Sequence, residues 1–210
     1  IELGYDKKRN VVIISVTKLA DGTSTVYCYD PKVGGFFPDT YPQQCGIYSM
    51  CYYDANDPDY ADFLIGCKDG YIRKYDSTAK SDNIGDMDQA IESEVLYPVV
   101  LLSEDADKEG LIKSTTFVIS GGAAGGTFED SDSVNYEIFT AEDAESVVEQ
   151  VRDDEDPHTS GTLSTTGRNS RIRNRVRGHA IGFKLSNTTL DESWSAEKLQ
   201  IEYTEKGRIK

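Results

Sequence analysis

The spacing of turn signals constrains this chain more than any other feature. Short runs of β-branched and aromatic residues are cut off at close intervals by Asp-Gly and Gly-Gly pairs. Glycine takes the positive φ that tight hairpin turns need, so such runs read as strands of antiparallel meanders rather than as helices. Val11–Thr17 is one strand, Asp21-Gly22 a turn, and Ser24–Tyr29 the returning strand. Asp30 and Pro31 end it, Gly34-Gly35 turn the chain again, and Phe36-Phe37 begin a third strand.

The same grammar recurs in Ile47–Tyr53, a polar loop over Asp54–Asp59 that holds Pro58, and Phe63–Cys67. Asp69-Gly70 then leads into the alternating stretch Tyr71–Asp76. Both units close on an aromatic-containing strand followed by Asp, and Asp30 and Asp76 lie 46 residues apart. That interval falls in the period of about 40–50 residues of propeller blades.

Beyond the polar stretch Ser77–Gln89 the expected elements change. Ile91–Leu102 reads as an apolar strand region with Pro98 at an edge or bulge. Leu111–Ser120 and Val134–Phe139 are strands, and His158–Asn169 is an exposed loop. A helix is expected near 141–152, capped by Thr140, with Ala144, Val147, Val148 and Val151 as its apolar stripe. A terminal hairpin pairs Arg175–Leu185 with Trp194–Tyr203. The expected class is mainly β: two blade-like units over 1–90, then a β-rich closing region over 91–210 with one short helix. The chain begins at Ile1 inside apparent structure, so a processed product or a piece of a longer protein is expected.

Charge narrows the function classes. The net charge is −15, but positions 1–167 carry 12 basic and 32 acidic residues while 168–210 carry 10 and 5. Most of the chain would repel phosphate, leaving only the last segment for nucleic acid. No run has the roughly 20 apolar residues of a membrane span. Cys28, Cys45, Cys51 and Cys67 form no C-x-x-C, and His158 and His179 lie far from them, so a structural zinc site is not expected. Reduced cysteines buried in strands are the expectation.

Catalytic constellations are weak. Nothing sets a nucleophile beside His158 or His179, and there is no G-x-S-x-G. The acidic loops 54–62 and 82–88 lack the helical setting of an EF-hand; hydrated loops are weighed against a β-loop calcium site. The glycines of 121–126 have no following Lys-Ser/Thr and face Glu129 and Asp130, which disfavours phosphate. Asn187-Thr188-Thr189 matches a glycosylation sequon by chance.

The most unusual feature is Arg168, Arg171, Arg173, Arg175 and Arg177, with no acid among them. On a strand the last four share one face, with Ile172 and Val176 on the other. Such a ridge suits either an acidic protein surface, on this chain or a neighbouring subunit, or nucleic acid. The acidic body favours protein.

Residues 64–76, with Asp69-Gly70-Tyr71-Ile72 and Tyr75-Asp76, resemble a propeller-blade hairpin. Together with Asp86–Pro98, Arg175-Val176-Arg177-Gly178, Trp194, Glu197 and Gly207-Arg208, they resemble the C-terminal half of phage tail and head-to-tail connector propeller proteins. The resemblance implies a non-enzymatic structural protein of the virion, at the tail or head-tail junction, assembled in the host cytoplasm. It implies other virion subunits as partners, a ring of identical or related copies, passing contact with genome DNA, and no cofactor. Arg168, Arg171, Arg173, Arg175, Arg177 and Trp194 are the expected interaction residues. The alternative is a secreted or surface propeller that binds or acts on carbohydrate, with Tyr52, Tyr53 and Tyr71 clustered beside carboxylates.

Overall fold

A computed structural model describes residues 1–76, 78–85, 87–103, 108–120, 133–163 and 167–207, without the side chains of 120, 167, 168, 170, 171, 206 and 207. The chain is mainly β; its described residues form several antiparallel sheets with one α-helix and no closed barrel. It divides into two compact units, Ile1–Gln89 and Ala90–Lys210.

In the first unit β1 (Glu2–Asp6), β2 (Val11–Thr17), β3 (Ser24–Asp30) and β4 (Gly35–Asp39) form a four-stranded meander. The expected Asp-Gly turn stands at Gly22, with φ of 76°. Asp21 Oδ1 accepts the amide of Thr23 at 2.8 Å there, an Asx-turn that fixes the reversal. Strand β1 has no run of β-branched residues to announce it. It forms because β2 offers an open edge, pairing Gly4 with Ile13 and Asp6 with Val11.

A second meander follows: β5 (Ile47–Tyr53), β6 (Asp62–Cys67) and β7 (Ile72–Lys74). The polar stretch after it also pairs, as the ribbon β8 (Ser81–Ile84) and β9 (Met87–Ala90). Side chains alternate across a strand, so one face of the first sheet turns Ile13, Val26 and Cys28 inward. These pack with Cys45, Ile47, Phe63, Ile65 and Cys67 as a single core.

In the second unit the Ile91–Leu102 region is not one long strand: Pro98, which has no amide to donate, falls between β10 (Ser93–Leu96) and β11 (Val100–Leu101). The long strand β12 (Lys108–Ser120) precedes β13 (Asn135–Ala141) and the helix α1 (Ala144–Arg152). Thr140 belongs to β13 and does not cap the helix. Asp143 does, its side chain accepting the Ser146 amide at 2.8 Å. The segment read as a loop contains β14 (Thr159–Thr162), paired with β13, and enters β15 (Gly167–Ile172), paired with β12. Small polar residues are tolerated in β14 because it is the edge of its sheet.

The expected terminal hairpin does not form. After β16 (Arg177–Gly178) the chain enters β17 (Ala180–Asn187), flanked by β13 on one side and by β10 and β11 on the other. The final strand β18 (Ser195–Gly207) lies in the other sheet, paired with β12 from Lys108↔Gly207 to Ser120↔Ser195. Almost every residue of β17 is buried, so it needs partners on both edges and leaves none for β18. The core joins Ile112, Phe117 and Ile119 to Ile138, Ile181 and Phe183, and α1 packs Val147 against Phe139 and Ala180.

Candidate functional site

The arginine segment is not one strand. β15 ends at Ile172 and β16 begins at Arg177; between them Arg175 adopts a positive φ of 47°. Val176 drives this local geometry. It is fully buried in the core, and its carbonyl accepts the Ile112 amide at 2.9 Å. Anchoring Val176 leaves Arg173, Arg175 and Arg177 exposed. None of the three makes an ion pair among the described residues. Arg168 and Arg171 have their backbone in β15, but their side chains lie outside the described residues.

Trp194 is not a free docking residue. Its ring packs against the core of the second unit, and its indole N–H donates to Ser93 Oγ at 2.7 Å. Asn187, the sequon residue, is also engaged. It is 2% exposed, donates to Glu192 at 2.7 Å and accepts the Thr189 amide at 2.8 Å. Such an asparagine serves the loop, not a glycan.

In the first unit, a cavity of about 400 Å³ opens between the β1–β2 turn, the segment Pro58–Phe63 and the end of β7. Asp6, 3% exposed at its side chain, forms its floor; it accepts the Lys8 amide at 2.9 Å and Arg9 Nε at 2.7 Å. The Arg9 guanidinium lies 3.5 Å from the centroid of the Tyr75 ring. On the wall, Lys8 donates to Asp62 at 2.5 Å and Lys74 reaches the same carboxylate at 3.8 Å. The Lys8 hydrogen bond holds the Asp62 carboxyl below the usual range, and hydrogen bonds from Thr78 do the same for Asp76. These groups are therefore ionised acceptors near neutral pH, balanced by the cations beside them. Tyr52, Tyr53 and Tyr71 do not line this cavity. Tyr52 instead carries the Lys7 ammonium over its ring at 4.8 Å, and Tyr71 lies beside Arg73.

Cys28, Cys45 and Cys67 are buried, Cys51 is exposed, and all four are unpaired. Burial, reinforced by Asp39, pushes the Cys28 thiol up to about 12. Its Sγ donates to Asp39 at 3.3 Å, beside Tyr41, whose hydroxyl donates to the same carboxylate at 2.9 Å. This thiol is a packed donor, not a nucleophile. Among the described residues no group of three or more His, Cys, Asp or Glu is arranged to hold a metal ion.

The sequence reading missed one recurrence that links turn and site. Asp6, Asp30 and Asp76 each follow a tyrosine and each accept the amide two residues on, from Lys8, Lys32 and Thr78 at 2.8–2.9 Å. The signal was present in the Tyr-Asp pairs at 5–6, 29–30 and 75–76; in the fourth pair, Tyr53-Asp54, the carboxylate accepts Lys7 Nζ at 2.6 Å. In comparison with known proteins, no family model matches the chain and no curated protein matches it.

Proposed function

We propose that this chain is a non-enzymatic structural component of a phage-like virion, at the tail or the head-tail junction, joined to other subunits through β-rich interfaces. The observation that supports assembly is the trio Arg173, Arg175 and Arg177, exposed and without ion pairs among the described residues of a chain with net charge −15. Guanidinium groups left free in this way are suited to bidentate contact with carboxylates. The acidic surface of a neighbouring copy supplies these, which favours a ring of like subunits over capture of DNA. The virion setting itself rests on the sequence resemblance.

Native mass spectrometry and electron microscopy of the full chain test the reading. A ring or defined co-complex is expected, weakened by raised salt and by the triple variant Arg173→Glu, Arg175→Glu, Arg177→Glu. A monomer that stays inert at every salt concentration and concentration tried would overturn it.

A further inference from the structure

The outer face of the first sheet has the chemistry of an interior. The register of β1 to β4 stacks Leu3, Ile14, Tyr27 and Pro38 in one cross-strand row. The next row is Tyr5, Val12, Tyr29 and Phe36, with the Tyr29 and Phe36 rings 4.8 Å apart. Neither row contains a charge. Yet Leu3 is 67% exposed, Phe36 63% and Tyr27 43%. An antiparallel sheet with one wet face alternates apolar with polar; here Ile13, Val26 and Cys28 turn into the core from one face, and the two rows on the other face are uncharged and mostly apolar as well, the pattern of a sheet covered twice.

We infer that this face docks the apolar, uncharged face of an antiparallel β-sheet belonging to a neighbouring subunit. The inference deepens the assembly reading and rests on it. Three observations select this occupant. The opposite face of the same sheet shares its core with the β5–β7 meander, so the chain itself shows what covers such a surface. The rows offer no charge for a charged partner to pair with, and a buried unpaired charge is costly. Size argues against a simple dimer through this face. Four strands about 4.8 Å apart and five residues long at about 3.4 Å each span about 320 Å². Two such faces bury about 650 Å², well below the roughly 1,200 Å² of a stable isolated interface. A sheet held in place by further contacts, as in a ring, needs no more area than this.

The test places the photo-crosslinker p-benzoylphenylalanine at position 27 of the full chain, made in cells that assemble it, with a control at exposed Lys18 in the β2–β3 turn. Cross-links from position 27 to alternating residues of a strand in another subunit are expected, with none at those residues from position 18. Cross-links to residues 90–210 of the same chain, to a helix, or to the same face of a second copy would overturn the inference. A companion variant, Tyr27→Cys with Cys51→Ser, covers the case of no cross-link. In the assembly its thiol is expected to react with maleimide at least tenfold more slowly than a thiol at position 18, and equal rates would overturn the inference. A native chain that assembles, loses assembly on Arg-to-Glu substitution, and keeps position 27 reactive within the native assembly would sink this docking face and spare the assembly reading. A chain that never assembles removes both.

Discussion

Removing the carboxylate of Asp6 is the sharpest perturbation of the first unit. Asp6 is nearly fully buried and accepts three donors: the amides of Lys8 and Arg9, at 2.9 and 3.3 Å, and Arg9 Nε, at 2.7 Å. Arg9 is itself only 20% exposed at its side chain, and its next carboxylate, Asp39, stands 4.0 Å away. Asp6→Ala therefore strands a buried guanidinium over the Tyr75 ring and leaves two turn amides without their acceptor. Breaking a buried ion pair on one side costs about 3–5 kcal/mol. Asp6→Asn keeps an acceptor for the amides and loses only the charge, so about 1.5–3 kcal/mol is expected. The double variant Asp6→Ala with Arg9→Met removes the orphaned charge and should recover part of the loss. The only tryptophan, Trp194, lies in the second unit, so its emission does not report on this site. Native-state hydrogen exchange at Ile13 and Val26, buried on β2 and β3, does. Asp6→Ala should speed their exchange by more than about a hundredfold, since each 1.4 kcal/mol is a factor of ten. Acceleration below about tenfold, or a double variant no better than the single one, would refute the buried-pair argument.

Gly4→Val should destabilise the same unit by about 1–3 kcal/mol through overpacking, read by the same exchange. A Cβ on Gly4 would lie 2.5 Å from Met50 Sδ and 2.8 Å from Phe63 Cζ. In the native chain at pH 8 a thiol reagent should modify Cys51 quickly and Cys28, Cys45 and Cys67 only on unfolding. Because the Cys28 thiol is pushed up to about 12, its contribution is complete below the unfolded thiol pKa of about 8.5. It is lost as pH rises toward 12, so alkaline titration by circular dichroism should show the first unit weakening across that window. Trp194→Phe, which gives up the hydrogen bond to Ser93, should cost about 1 kcal/mol in urea unfolding followed by circular dichroism.

Much of the fold was legible because its signals are local. Val11–Thr17 and Ile47–Tyr53 are strands with the bounds that their β-branched and aromatic content gives, and Gly22 and Gly70 sit at positive φ where Asp-Gly pairs announced turns. The helix was visible from its valine stripe, though its start moved because Asp143 outcompetes Thr140 as cap. The cavity was not legible. Asp6, Asp62 and Tyr75 come together only when the two meanders share a core, and no spacing along the chain encodes that meeting.

The arginine segment shows the boundary most plainly. Alternating sequence was enough to expose Arg173, Arg175 and Arg177 and to turn Val176 inward. It could not show that the core would seize Val176 and bend the chain at Arg175. Strand pairing marks the same limit. By itself the sequence determined the strands rich in β-branched and aromatic residues, the Asp-Gly turns and which side chains face apart, because turn chemistry and the two-residue period act over a few residues; the polar strands β8, β9 and β14 form only through their partners. The tertiary structure alone decided that the strand after Trp194, Ser195–Gly207, pairs with Lys108–Ser120 rather than with its neighbour Ala180–Asn187. A nearly wholly buried strand must satisfy both edges, and which strands do so depends on the whole core.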